Sequence, residues 1–366
     1  MEPADVGSRS IHVALCCDDQ YAPMAGVTAL SILLNRRSDL DLCLHICHSQ
    51  LSDQNKEALR ETVKPFRASI EFHPIANPRI YGLRELLHIT HATYFRLLLA
   101  DLLEKQHRVI YLDCDLVVEC DLEALWNVEL EGCVIAGWDE GEPSHLTRLN
   151  LQDDFYINAG VLLIDLDSWR KQALGAACLQ WIEANGALAA LLEQDAINVV
   201  LKGKKSRIAE HWNLNPVWRN EEDLLERYPE RVIHFGGPIK PWDECYDFKL
   251  AAIFKRYVFF SPWRDSFPCR KAKNPTQQII LAHQFADAGE FEIAARTYHA
   301  ALGALVQQRG ALPLVIRSIN HGVRCFDQRD FAQAVEHFKD CVESFNLPRT
   351  YSKNIYRLSG LLDGMF

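Results

Sequence analysis

The chain's 366 residues, 48% hydrophobic and 24% charged, suffice for one large core and a smaller appendage. A formal net charge of −10 excludes nonspecific nucleic-acid binding, which needs a basic surface. No run approaches the ~18 uninterrupted apolar residues of a membrane span.

The N-terminus (Met1-Glu2-Pro3-Ala4-Asp5) is acidic and leads straight into a strand-like run, unlike a signal peptide. From residue 10 to about 250, short β-rich runs alternate with amphipathic helices, which predicts an α/β domain. Strands are expected at 10–16, 42–47, 69–73, 108–113, 132–137 and 160–165, and helices at 22–35, 52–64, 93–104, 168–184 and 192–202. The polar, unpatterned stretch 139–154 reads as an active-site loop. Near residue 260 the character changes. Ser261-Pro262-Trp263-Arg264, then Arg270, Lys271, Lys273 and Asn274-Pro275, make a basic junction rich in helix breakers.

Beyond that junction everything reads as helix, and Phe291/Phe331, Ala294/Ala334, Tyr298/Phe338 and Ala301/Cys341 recur at an interval of 40 residues. The pattern resembles tetratricopeptide helix pairs, with plain helical packing as the alternative. The expected division is a catalytic domain at 1–260, a basic linker at 261–275 and an α-helical domain at 276–366. Of the 12 cysteines, Cys43, Cys47, Cys133, Cys178 and Cys341 lie singly in apolar runs, where Cys behaves as a small hydrophobe. No C-x-x-C pair exists, so no zinc site is expected, and the cytoplasm is the expected compartment.

Residues 109–118, Val-Ile-Tyr-Leu-Asp-Cys-Asp-Leu-Val-Val, carry the most chemistry. In a strand, side chains at i and i+2 share a side, so Asp113 and Asp115 should both face one way. Buried negative charge is costly unless compensated, and a divalent cation on a diphosphate would compensate it. Asp-x-Asp also occurs at Asp39/Asp41, in a polar turn, and at Asp165/Asp167, where Asp167 is a plausible N-cap. Only the triplet at 113 directly follows a hydrophobic strand.

Four further segments support it. Cys16-Cys17-Asp18-Asp19-Gln20-Tyr21 closes the first strand, where α/β sheets place ligands. Arg96 offers a planar donor fork for carboxylate or phosphate. Asn158 offers a donor and an acceptor suited to sugar hydroxyls, and Gly160 permits close backbone approach. His234 follows a strand-like run, and Lys240 lies six residues on, across a Gly-Gly-Pro turn. An imidazole suits manganese better than magnesium.

Together these segments resemble the retaining glycosyltransferases of family eight, which include bacterial lipopolysaccharide galactosyl- and glucosyltransferases and, more distantly, glycogenin. The resemblance covers about residues 10–245, and His-Phe-x-Gly-x-x-Lys-Pro-Trp is its specific signature. It implies a GT-A type nucleotide-sugar-binding fold: α/β, with a mixed, mostly parallel sheet flanked by helices. A small all-α domain follows here. Asp113, Asp115 and His234 are then implied as ligands of a manganese (or magnesium) ion on the UDP phosphates. Cys16, Asp18, Gln20, Tyr21 and the triplet Asp113, Cys114, Asp115 would line the uridine pocket, with Gly237 and Lys240 on the distal phosphate. Arg96, Asp139, Asn158 and Gln194 would contact the donor sugar, and His88 would lie toward the acceptor. Members often carry Asn at the position of Gln20 and Asp at that of Glu193, the second beside the donor sugar.

The implied reaction moves galactose or glucose from UDP to a glycan hydroxyl with retention. Double displacement needs a carboxylate nucleophile. Gln194 is an amide, which favours front-face attack and leaves Asp195 as the fallback nucleophile. Competing readings are a protein-directed or autoglycosylating glucosyltransferase and a non-catalytic nucleotide-sugar scaffold. The helices are a candidate surface for a protein partner or a second copy, and the basic junction for anionic headgroups at a membrane face.

Overall fold

The computed structural model describes residues 10–85, 90–215, 223–237, 239–246, 248–309 and 313–344. They divide into two compact units. The first holds the described residues up to 215, 223–237 and 257–266; the second holds 239–246, 248–256 and those from 267 onward.

Nine strands organise the first unit: β1 (Ser10–Cys17), β2 (Asp41–His48), β3 (Ala68–Pro74), β4 (Arg108–Leu112), β5 (Leu116–Val118), β6 (Ile135–Asp139), β7 (Ile157–Asp165), β8 (Lys205–Arg207) and β9 (Val232–His234). Seven form one sheet in the order β3-β2-β1-β4-β7-β6-β8, and β5 pairs with β9 in a separate two-stranded sheet. Within the large sheet only the β4–β7 and β7–β6 pairings are antiparallel. The result is the mixed, mostly parallel sheet of a GT-A type fold. Strands β1 and β2 are buried along their length except at the first residue, as a sheet covered on both faces requires.

Helices Ala22–Asn35 and Asp53–Val63 lie where the sequence pattern predicts them. Other elements differ for local reasons. The helix expected at 168–184 is broken, because Ala173 adopts φ 51° between Leu166–Lys171 and Leu174–Ala184. Its cap is Asp165, whose side chain accepts from Ser168 N at 2.9 Å, whereas Asp167 in the first turn binds His107 and Arg170. The 139–154 stretch contains a short helix, Pro143–Arg148. Trp263, read as part of a linker, is buried in the first unit. Its Nε1 donates to Asn55 Oδ1 at 3.0 Å, and its ring occupies the space a side chain on Gly26 would fill.

The second unit contains helices Pro275–Asp287, Phe291–Arg309, Pro313–Asp327 and Phe331–Ser344. Three of the four repeated pairs are its core: Ala294, Ala334, Tyr298, Phe338, Ala301 and Cys341 are fully buried, whereas Phe291 is exposed and Phe331 half-buried. The two turns also match at the same interval. Glu290 N donates to Phe285 O and Asp330 N to Cys325 O, each across a residue of positive φ, Gly289 (81°) and Arg329 (61°). These are glycine-type helix stops, and only the first repeat has the glycine. A side chain on Gly289 would meet nothing within 4 Å, so conformation alone decides the cost there. Gly289→Ala should therefore lose about 1 kcal/mol and Arg329→Gly should gain up to about that much, read as opposite shifts in thermal midpoint.

Candidate active site

β4 leaves the sheet at Leu112, and residues 113–115 form a bend rather than continuing the strand. The two carboxylates therefore do not meet by strand alternation, as the sequence pattern had implied. They meet because the bend is pinned. Asp113 N donates to Gly160 O at 2.8 Å, and Thr28 Oγ1 donates to Cys114 O (3.0 Å) and Leu116 O (2.9 Å). Immediately after it β5 pairs antiparallel with β9, placing Leu116 opposite His234. Ligand atoms of Asp113, Asp115 and His234 then lie within 4.8 Å of one another. His234 Nε2 is 3.5 Å from Asp115 Oδ1 and 3.8 Å from Asp113 Oδ2. Asp115 and His234 are buried.

Arg96, in the 3-10 helix His91–Leu98, holds Asp113 from behind. Its Nη2 is 2.7 Å from Asp113 Oδ1, which also accepts from Tyr111 OH at 2.5 Å. Its Nη1 donates to Ala159 O at 2.6 Å, and its guanidinium lies 4.5 Å from the Tyr111 ring centre. Burial opposes the charge on Arg96, but Asp113, Tyr111 and Glu193 outweigh it and push its pKa up. Burial likewise raises the Tyr111 pKa, against the pull of Arg96, so the phenol stays a donor. With Oδ1 engaged, Asp113 turns Oδ2 toward His234. Glu193 completes the group: Oε1 accepts from Thr93 Oγ1 at 2.5 Å and lies 3.4 Å from Arg96. Its Oε2 is buried without a hydrogen-bond partner among the described residues, and burial raises its pKa against the pull of Arg96.

A directional chain of hydrogen bonds fixes the imidazole. Asn158 Nδ2 donates to Glu140 Oε1 (2.6 Å), Asn213 Nδ2 to Asn158 Oδ1 (2.9 Å), and Asn213 Oδ1 faces His234 Nδ1 at 2.8 Å. An amide oxygen only accepts, so Nδ1 carries the proton and the Nε2 lone pair faces the carboxylates. That outer support is what a histidine ligand needs. Burial, countered by Asn158 and His234, leaves Glu140 with a pKa near 6. Gly160 completes the fit, since a Cβ there would come within 2.3 Å of the His234 ring. Two carboxylate oxygens and one imidazole nitrogen suit a manganese-class cation.

The other expected residues have varied partners. Cys16 O accepts from Cys114 Sγ at 3.2 Å, tying the end of β1 to the acidic bend. Asp18 Oδ1 accepts from Tyr21 N at 2.9 Å at the start of helix Ala22–Asn35, with Gln20 exposed between them. Asp139 accepts from Arg207 Nε at 2.9 Å and Gly141 N at 3.0 Å. Gln194 accepts from Ala159 N at 2.9 Å and donates to Tyr156 OH at 3.2 Å. Asp195 is fully buried, with each oxygen accepting twice: from Arg148 and Tyr156, and from Arg148 and Leu191 N. Gly237 adopts φ 100°. Lys240 belongs to the second unit, where it is buried and its N donates to Asp243 Oδ2 at 2.8 Å. His88 lies outside the described residues. Sequence reasoning missed Glu140 and Asn213, because nothing in their local pattern distinguishes them. Tyr111 it could have found, standing two residues before Asp113 on the same strand.

The chain is similar to known proteins in sequence and in fold. General stress protein A of Bacillus subtilis is 28% identical over 270 residues, 69% of this chain and 94% of that protein. Lipopolysaccharide 1,2-glucosyltransferase of Escherichia coli K12 is 26% identical over 281 residues, 73% of this chain and 82% of that one. Among solved structures, the galactosyltransferase LgtC in complex with donor and acceptor sugar analogues superposes with a TM-score of 0.62. It covers 69% of this chain and 99% of its own at 24% identity, a likeness of fold. The sequence profile of glycosyl transferase family 8 matches residues 12–245. The chain belongs to that family and is a glycosyltransferase.

Proposed function

We propose that the protein transfers galactose or glucose from a UDP-sugar to a saccharide hydroxyl with retention of anomeric configuration. One observation carries the reading: Asp113, Asp115 and His234 converge to within 4.8 Å, with the imidazole lone pair aimed at both acids. When bound there, a manganese or magnesium ion would act as a Lewis acid on the departing diphosphate. The remaining work falls to the chain itself. Arg96 and Tyr111 hold Asp113 in orientation, and the Asn213–Asn158–Glu140 chain keeps His234 in the ligating tautomer. The family resemblance assigns Asp18, Gln20, Tyr21, Cys16 and Cys114 to the uridine, and Gly237 and Lys240 to the distal phosphate. Arg96, Asp139, Asn158 and Gln194 border the donor hexose, beside the unpartnered oxygen of Glu193.

All four acceptor positions of Asp195 are occupied, by one guanidinium, one phenol and one amide, which leaves no lone pair for covalent attack. Front-face attack beside the Gln194 amide is therefore favoured, the departing phosphate oxygen taking the acceptor's proton. The names of relatives favour a lipopolysaccharide or similar glycan as acceptor. Autoglycosylation is the second reading, with the repeat helices recruiting a polypeptide or a second copy. Within the basic junction Arg264 pairs with Asp265, Arg270 with Asp243 and Lys271 with Glu244, which lessens the charge it would offer to anionic headgroups at a membrane face. No described helix is long and apolar enough to cross a membrane, and a cytoplasmic location is part of the proposal.

The direct test is UDP release from UDP-galactose and UDP-glucose, with and without manganese, over a panel of glycan acceptors. Activity should require the ion and fall at least about a hundredfold in Asp115→Asn; chelator-insensitive turnover would sink the assignment. Gly160→Ala should displace the imidazole and weaken manganese binding by on the order of tenfold or more, followed by calorimetry on the folded protein. Gln194→Ala should slow turnover without accumulating a glycosyl-enzyme, and a hexose adduct on Asp195 in mass spectra would reverse the choice of mechanism.

A further inference from the structure

The rim of the sheet carries a second group of metal-binding atoms, remote in strand order from Asp113. β1 separates β2 and β3 from β4. In the β2–β3 register His45 stands beside Glu71, and His73 follows Glu71 by two residues on the same face. His45 Nδ1 is 3.0 Å from His73 Nε2 and 3.4 Å from Glu71 Oε2, and His73 Nε2 is 3.7 Å from the same oxygen. Zinc bonds of about 2.0–2.2 Å in tetrahedral array put neighbouring ligand atoms roughly 3.3–3.5 Å apart. The three distances bracket that edge.

We propose that His45 Nδ1, His73 Nε2 and Glu71 Oε2 form a site for a zinc-class divalent cation, with its fourth position open to solvent. The far side of His45 is built for it. Nε2 lies 3.0 Å from His12 Nδ1, so an Nε2 proton donated to His12 leaves the Nδ1 lone pair facing the other two ligands. Burial, reinforced by His12 and His73, lowers the His45 pKa to about 3, and burial lowers that of His73 as well. Both rings are thus neutral at physiological pH, the form that ligates. The alternative set His12, Cys43 and His45 is buried throughout, whereas Glu71 is exposed and gives an ion an entry path. Two imidazoles and one carboxylate prefer zinc, copper or cobalt over manganese, so the two sites should take different metals. A bound ion would tie edge strand β3 to β2.

The experiment is zinc titration by calorimetry, with cobalt as an optical probe, on the full chain, Asp115→Asn, Glu71→Gln and His73→Gln. Expected is one zinc equivalent and a tetrahedral cobalt spectrum, both retained in Asp115→Asn. Glu71→Gln and His73→Gln should each weaken zinc at least about tenfold while circular dichroism stays native and manganese binding persists. Zinc binding that survives both edge substitutions, or that disappears with Asp115→Asn, overturns the proposal, as does absence of any zinc equivalent.

Discussion

The pairing of β5 with β9, two strands of three residues each, is the constraint on which the active centre rests. It lays His234 against the acidic bend over a separation of more than a hundred residues. A two-stranded ribbon is marginal by itself, and this one is braced. Leu214 bridges to Ile233 on the other side of β9, Glu119 N donates to Arg231 O at 2.8 Å, and the half-buried Arg231 and Glu119 side chains pair at 2.7 Å. Losing that register would move the imidazole away from both acids and detach Asn213 from it at the same stroke.

Rigidity continues along the helix that carries Gln194. Helix Leu192–Val200 is joined to β7 by Asn198, which accepts from Ile157 N and donates to Ile157 O, both at 2.8 Å. Asp195 clamps the same helix to Arg148 and Tyr156. Gln194, one residue before Asp195, accepts from Ala159 N and donates to Tyr156 OH, so its amide is held on a fixed shelf. Preorganised dipoles of this kind stabilise developing charge without reorganising at the moment of reaction.

The sequence pattern made most of this legible where one residue type served one physical need. Short β-rich runs located β1, β2, β3 and β7, and Asp113, Asp115 and His234 stood out because acids and an imidazole are costly at strand ends. The repeat helices were legible too, down to the buried Tyr298/Phe338 pair. What remained hidden depends on long-range geometry. The 113–115 triplet looks like continuing strand, because nothing local announces that β4 ends at Leu112. Asn213 and Glu140 act through hydrogen bonds to residues far along the chain, and His12, His45, Glu71 and His73 are scattered over three strands. Cysteine spacing said nothing about them. Asp165 took the cap expected of Asp167 because the helix begins two residues earlier.

Arg96 gives the centre an independence from its ion. A guanidinium fixed 2.7 Å from Asp113 supplies a permanent countercharge, so a lone-standing pair of acids never has to be endured by the fold. In a zinc finger the ion is inseparable from folding. Here half of the compensation is built into the polypeptide, so the cradle can keep its shape whether or not a cation is bound.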